Sequence, residues 1–233
     1  MIDIGTLYII ATPIGNLSDI TLRALETLKE VDFILCEDTR VTKKLLSHYD
    51  INKPLLSYHQ HSKLSKIDKI AELLEGGKNL ALVSDAGTPG VSDPGNELIA
   101  RLLEQPNLIN SDKNVKIIPI PGPSSVLTLL SVSGVDVSKF LFLGFLPHKK
   151  GRKTLIEKIK ESEYPVVVFE SKHRLLKLLN EFKESDSYIV VGRELTKMFE
   201  EILRGDANEI CEYFEKNPGK LKGEFVVIFS KKM

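Results

Sequence analysis

Three short apolar runs in this chain each end in a stiff loop of small residues, and that repetition limits the possible fold more than any other feature. Thr6 to Ala11 leads into Thr12-Pro13-Ile14-Gly15-Asn16-Leu17. Asn79 to Ser84 leads into Asp85-Ala86-Gly87-Thr88-Pro89-Gly90-Val91-Ser92-Asp93-Pro94-Gly95, and Val115 to Ile120 into Pro121-Gly122-Pro123-Ser124-Ser125. Glycine lets a backbone take positive φ or approach a ligand closely, while proline holds the loop rigid, so each loop has the makings of a preformed ligand wall. One such loop is equally well read as a plain turn. Three of them, at the carboxyl ends of parallel strands, would converge on one sheet edge, where open α/β folds bind ligands.

Apolar runs of strand type alternate with helix-period segments along the whole chain, the pattern of α/β layers with mainly parallel strands. The first half adds a strand at Val31 to Cys36, and the second half strands at Val166 to Phe169, Tyr188 to Val191 and Glu224 to Phe229. Helices fall between them, including His173 to Phe182 and Asn208 to Phe214. Asp19 is expected to cap a helix whose Leu22, Leu25 and Leu28 face the core, and Asp93 a helix with Pro94 at its first position. The expectation is two α/β domains, residues 1–121 and 122–233.

Residues 1–121 carry 13 Lys and Arg against 16 Asp and Glu, and residues 122–233 carry 19 against 16. Any polyanion contact is therefore expected on the second half, although the whole chain is neutral. Cys36 and Cys211, the only cysteines, lack metal-type spacing and suit a reducing cytoplasm. The start has no secretory pattern, and no apolar run approaches the ~18 residues of a membrane span.

The first strand is not followed by G-x-G-x-x-G, and Gly76-Gly77-Lys78 has Glu72 where a phosphate-binding loop needs glycine. Dinucleotide and nucleoside-triphosphate chemistry are disfavoured. His59 and His61 form an H-x-H pair without a third ligand, so no metal is expected. Glu37-Asp38-Thr39-Arg40 follows the second strand and reads either as a helix N-terminus or as a charged cluster facing substrate. In the second half, Glu170-Ser171-Lys172-His173-Arg174 and Gly192-Arg193-Glu194-Leu195-Thr196-Lys197 follow strands and could face the first-half loops across a cleft. The loop His148-Lys149-Lys150-Gly151-Arg152-Lys153 is expected to be exposed, as a hinge or a phosphate grip.

The segments ATPIGNLSDITLRALETLKEVDFILCEDTR, SYHQHSK, LVSDAGTPGVSDPG, PIPGPSS, GFLPHKKGRK, FESKHRL, GRELTKMFEE and KGEFVVIFS together resemble the ribosomal RNA small-subunit methyltransferase branch of the tetrapyrrole methylase superfamily. The resemblance runs from about Leu7 to Phe229. It implies two α/β domains with S-adenosylmethionine folded into the cleft between them, a cytoplasmic homodimer, and methyl transfer to the ribose 2′-oxygen of a cytidine in the decoding region of small-subunit ribosomal RNA. By motif position it places the cofactor against Pro13, Ile14 and Gly15, against Asp85, Ala86, Gly87 and Thr88, and against Ser124, Ser125 and Val126, with Phe169 and Gly223 contributing from the second domain.

A 2′-hydroxyl is a poor nucleophile and needs a base. The expected candidates are Glu170, Asp38 and Lys197, in that order, with His59 and Arg40 orienting ribose or phosphate and Lys149, Lys150 and Arg152 gripping RNA. Two other readings stay open: carbon methylation of a tetrapyrrole precursor, and a ribosome-binding protein without catalysis.

Overall fold

The structure is a computed structural model, describing residues 3–59, 64–109 and 114–231. His61 lies outside the described residues. The chain divides into two compact units, Met1–Ser124 and Ser125–Met233.

The first unit is a five-stranded sheet built from β1 (Thr6–Ile10), β2 (Phe33–Cys36), β3 (Leu55–Ser57), β4 (Leu80–Val83) and β5 (Lys116–Ile120), in the order β3-β2-β4-β1-β5. All four pairings are parallel. The four residues of β4 are all buried, as they must be in a strand covered on both faces. Leu80 and Leu82 meet Ile67, Ile70 and Leu74 of α3 (Leu64–Glu75) and Leu98 and Leu102 of α4 (Gly95–Leu103). Ala81 and Val83 point the other way, toward Ala24 and Leu28 of α1 (Leu22–Glu30) and Leu46 of α2 (Thr39–His48). Each large apolar side chain sealed this way contributes about 1.5–3 kcal/mol.

Two helix starts differ from expectation. Thr21, not Asp19, caps α1, its hydroxyl accepting from Ala24 N–H, so the helix turns Ala24, Thr27 and Leu28 inward and leaves Leu22 79% exposed. Pro94 precedes α4 instead of opening it, while the Asp93 carboxylate accepts from both Gly90 and Gly95 N–H and ties the loop to the helix.

The second unit contains β6 (Leu141–Phe145), β7 (Val166–Ser171), β8 (Ser187–Arg193), β9 (Glu201–Gly205) and β10 (Glu224–Lys231), in the order β6-β7-β10-β8-β9. Here the expectation of mainly parallel strands fails. β6 and β7 are parallel, but the other three pairings are antiparallel. The reason is connection length: Glu194 to Glu200 join β8 to β9 with too few residues for a crossover helix, so the chain must double back.

One face of this sheet packs on α6 (Arg152–Glu161), α7 (Leu175–Asn180) and α8 (Ala207–Lys216) through Val168, Ile189, Phe225, Val227 and Phe229. α5 (Ser125–Ser131) lies over the opposite face. Its Leu129 comes so close to Gly192 that a Cβ there would sit 2.7 Å from Leu129 Cδ1. Both cysteines are buried and unbridged, and no helix among the described residues is long and apolar enough to cross a membrane.

Candidate active site

Because β4, β1 and β5 are adjacent and parallel, the loops after them emerge side by side from one edge of the first sheet. They are laced together by backbone bonds. Thr12 N–H donates to the Gly87 carbonyl at 2.9 Å and Gly87 N–H returns a bond to the Thr12 carbonyl at 3.1 Å. The buried Thr12 hydroxyl donates to the Ser84 carbonyl at 3.1 Å, and the Thr88 hydroxyl to the Pro123 carbonyl at 3.1 Å. Gly87 holds φ at +82°, and a Cβ there would press on Ile14 Cγ2 at 3.3 Å; one on Gly122 would stand 3.0 Å from Ala11 Cβ. Glycine is therefore favoured at both junctions, by its left-handed φ at Gly87 and by close packing at Gly122.

The sequence-predicted wall residues of this unit thus share one rim. Pro13 and Ile14 are buried against it, Gly15, Asp85 and Ala86 are exposed on it, and Gly87, Thr88 and Ser124 complete it. Ser125 and Val126 open α5 of the second unit, where Phe169 packs its ring against Phe142 and Phe145. Gly223, at φ +92°, leaves room for the Glu194 carboxylate, which accepts from Glu224 N–H at 3.0 Å.

The same edge of the first sheet is acidic. Asp38 caps α2 and pairs with Arg40 through a 2.6 Å contact, and Arg40 first, by its side-chain hydrogen bonds, holds the Asp38 carboxyl down at about 2. Asp38 N–H donates to Asp85 Oδ1 at 3.1 Å. Glu37, directly after β2 and partly buried, behaves in the opposite sense: burial, then the charges of Asp93 and Asp85, push its pKa above the ordinary carboxylate value. Sequence reasoning placed Glu37 in a charged cluster without singling it out. Its distinguishing neighbours are Asp93 and Asp85, on the loop after β4, which become visible only once β2 and β4 are known to be adjacent.

The three expected bases have other partners. Glu170 has a side chain with 0% exposure, its Oε1 2.7 Å from Arg174 Nε and 2.8 Å from the donating Ser171 N–H, and its Oε2 3.9 Å from Arg152 Nη1. A carboxylate enclosed between two guanidiniums has no route to a substrate hydroxyl, which corrects the first choice of base. Lys197 is held between Glu194 at 3.0 Å and Glu224 at 2.8 Å; burial lowers its pKa, but the two carboxylates outweigh that and raise it, keeping the ammonium charged. Asp38, already paired and held strongly acidic, is a weak base.

Among the expected substrate contacts, Arg40 and His59 are exposed at the carboxyl edge of the first sheet. Lys149 and Lys150 are exposed, as expected of the basic loop. Arg152 is not: its side chain is 6% exposed and grips Glu181 with bonds of 3.0 and 2.7 Å, so it belongs to the interior of the unit and does not reach RNA. The carboxylates of Glu181, just beyond α7, and of Glu170, in β7, draw it inward, a placement the run of basic residues could not disclose. Among the described residues no group of His, Cys, Asp and Glu could hold a metal.

A glycine-and-proline rim at the carboxyl edge of a parallel sheet, followed by a second α/β unit with a mixed sheet, defines an α/β protein with a ligand site at that edge. Residues 6–211 match the Tetrapyrrole (Corrin/Porphyrin) Methylases, and the chain belongs to that family. Its place within the family is with the ribosomal RNA small subunit methyltransferases I. It is 44% identical to the protein of that name from Thermotoga maritima, covering 98% of this chain and 99% of the relative, and 44% identical to the one from Bacillus subtilis, covering 97% and 75%.

Solved structures with the same fold include diphthine synthase (TM-score 0.72, 14% identity, 98% of this chain and 91% of that one) and cobalt precorrin-4 methyltransferase (0.65, 19%, 96% and 94%). The chain is therefore a methyltransferase dependent on S-adenosylmethionine.

The rim fits that cofactor. Its junctions are tight at Gly87 and Gly122, leaving a surface of backbone and small groups for close approach. Asp38, Asp85 and Asp93 supply negative charge on the same edge, complementary to a sulfonium.

Proposed function

We propose that the protein methylates the ribose 2′-oxygen of a cytidine in the decoding region of small-subunit ribosomal RNA. The observation that carries this reading is identity of 44% across essentially the full length of a relative named for that ribosomal subunit. S-adenosylmethionine supplies a methyl group activated by positive sulfur. The chain's part is to hold and orient: Pro13, Ile14 and Gly15, Asp85 to Thr88, and Ser124 form the cofactor wall of the first unit. Rigidity is useful here because a displacement in line with a leaving group gains most of its rate from positioning.

Glu37 takes the role of base. Its carboxylate accepts the proton of the 2′-hydroxyl as that oxygen forms its new bond to carbon, and its raised pKa gives it more proton affinity than Asp38 has. Arg40 and His59 orient the ribose and phosphate, and Lys149 and Lys150 attract the RNA backbone. The working form is a cytoplasmic homodimer, which sedimentation of the purified protein would test.

The deciding experiment incubates the protein with S-adenosylmethionine labelled in its methyl group and small subunits lacking the modification, or naked RNA, followed by nucleoside analysis. Label on a 2′-O-methylcytidine is expected. Absence of label from RNA under both conditions, or label in a tetrapyrrole precursor instead, overturns the proposal.

A further inference from the structure

A buried arginine, Arg152, and a partly buried one, Arg174, connect Glu170 to the basic loop. Arg174 Nη1 donates to the Leu146 carbonyl at 2.9 Å while its Nε meets Glu170 Oε1 at 2.7 Å. Arg152 Nη1 donates to the Pro147 carbonyl at 3.3 Å and lies 3.9 Å from Glu170 Oε2, and its other donors are taken by Glu181. Successive carbonyls at the start of the loop are therefore held by guanidiniums whose own orientation is set by one enclosed carboxylate. At the other end Gly151 turns the chain at φ +80°, and Arg152 N–H closes onto the Lys149 carbonyl at 3.2 Å. Between these fixed ends stand His148, Lys149 and Lys150, all exposed.

The charges in this network balance. Arg152 and Arg174 are matched by Glu170 and Glu181, so the network adds no net charge beneath the loop, and the exposed lysines keep their full field. Glu170 Oε2 has no hydrogen-bond partner and is held by charge alone. A carboxylate kept there at a desolvation cost is a poor source of stability, since buried ion pairs roughly break even against apolar packing. What the arrangement does accomplish is to fix a loop whose lysines would otherwise lose rotational freedom only on binding.

We propose that Glu170 is a positioning residue for RNA capture: by orienting Arg152 and Arg174 on the Leu146 and Pro147 carbonyls, it presents Lys149 and Lys150 as a preformed phosphate-binding pair. This rests on the reading that the loop contacts RNA phosphates. The step it governs is association, so its loss appears in KM for RNA and leaves methyl transfer itself untouched.

The test compares steady-state kinetics on undermethylated small subunits with S-adenosylmethionine binding by calorimetry. Glu170→Gln is expected to raise KM for the subunit about tenfold, with kcat within about twofold of wild type and cofactor affinity unchanged. The slope of log KM against log salt should fall toward that of Lys149→Glu/Lys150→Glu, a loss of about 1.4 for two phosphate contacts on single-stranded RNA. Arg174→Lys keeps the charge beside Glu170 but cannot serve both that carboxylate and the Leu146 carbonyl; it provides the same KM readout should Glu170→Gln not fold.

A fall in kcat at constant KM would make Glu170 catalytic and overturn the proposal, as would parallel loss of cofactor affinity or no change at all. If the double lysine variant leaves KM unaltered, the RNA-contact reading itself fails. If that variant weakens binding while Glu170→Gln and Arg174→Lys do not, the positioning role alone fails.

Discussion

Thr12 and Gly87 exchange a pair of backbone hydrogen bonds, 2.9 and 3.1 Å long, that join the loop after β1 to the loop after β4. This short antiparallel bridge sits at the edge of an otherwise parallel sheet. It makes two sequence-distant loops into one surface, and it depends on a backbone conformation at Gly87 that only glycine adopts without strain.

Gly87→Ala should therefore cost about 1–2 kcal/mol of stability from the left-handed φ. The added Cβ also pushes on Ile14, so cofactor affinity should fall about tenfold. Gly219→Ala, at a position with nothing within 4 Å, is the control and should change neither. Calorimetry and thermal melts read both effects; an unaltered cofactor affinity in Gly87→Ala would remove the rim from the binding site.

Glu37 must be ionised to accept a proton, so turnover should climb as pH rises through its pKa, which lies above the ordinary 4.5. Glu37→Gln should lower kcat by about 10²–10⁴ with unchanged cofactor affinity, and the remaining activity should lose that acid limb. A Gln variant that retains the limb points to another group.

Asp38 titrates in the opposite direction. Its folded pKa of about 2 lies below the ordinary 3.8, so its pairing with Arg40 adds stability above about pH 4 that disappears as pH falls through 2. Asp38→Asn keeps the cap on α2 but removes that charge. The stability gap between wild type and variant should close between pH 4 and 2 in acid denaturation, and should shrink with salt because Arg40 is open to solvent. Turnover should stay within a few-fold of wild type.

Asp206 and Glu209 form a reciprocal capping box at the start of α8. Asp206→Ala should cost about 1 kcal/mol and lower Tm by ~2–4 °C, leaving kcat and cofactor affinity as they were. Loss of activity beyond the loss of folded protein would show that the second unit's packing is coupled to the chemistry.

The wall loops were legible because their physics is local: Pro13, Gly87 and Gly122 announce stiffness and special backbone geometry wherever they stand. Glu37 was harder to read, since its unusual proton affinity comes from Asp85 and Asp93, which are distant in sequence. Arg152 and Glu170 were misread for the same reason. A lysine-rich run around Arg152 suggests solvent, and only the packing of α6 and α7 reveals Glu181 and Arg174 as interior partners.

By itself the sequence determined two α/β units, the parallel character of the first sheet, the three rim loops and the family, because periodicity, turn chemistry and motif order are properties of contiguous residues. Tertiary structure alone decided the antiparallel pairing of the second sheet, the lacing of Thr12 to Gly87, and which charged groups face solvent. Those outcomes depend on strand adjacency and burial, and a carboxylate or guanidinium has the same letter in the sequence whether it meets water, substrate or an opposite charge.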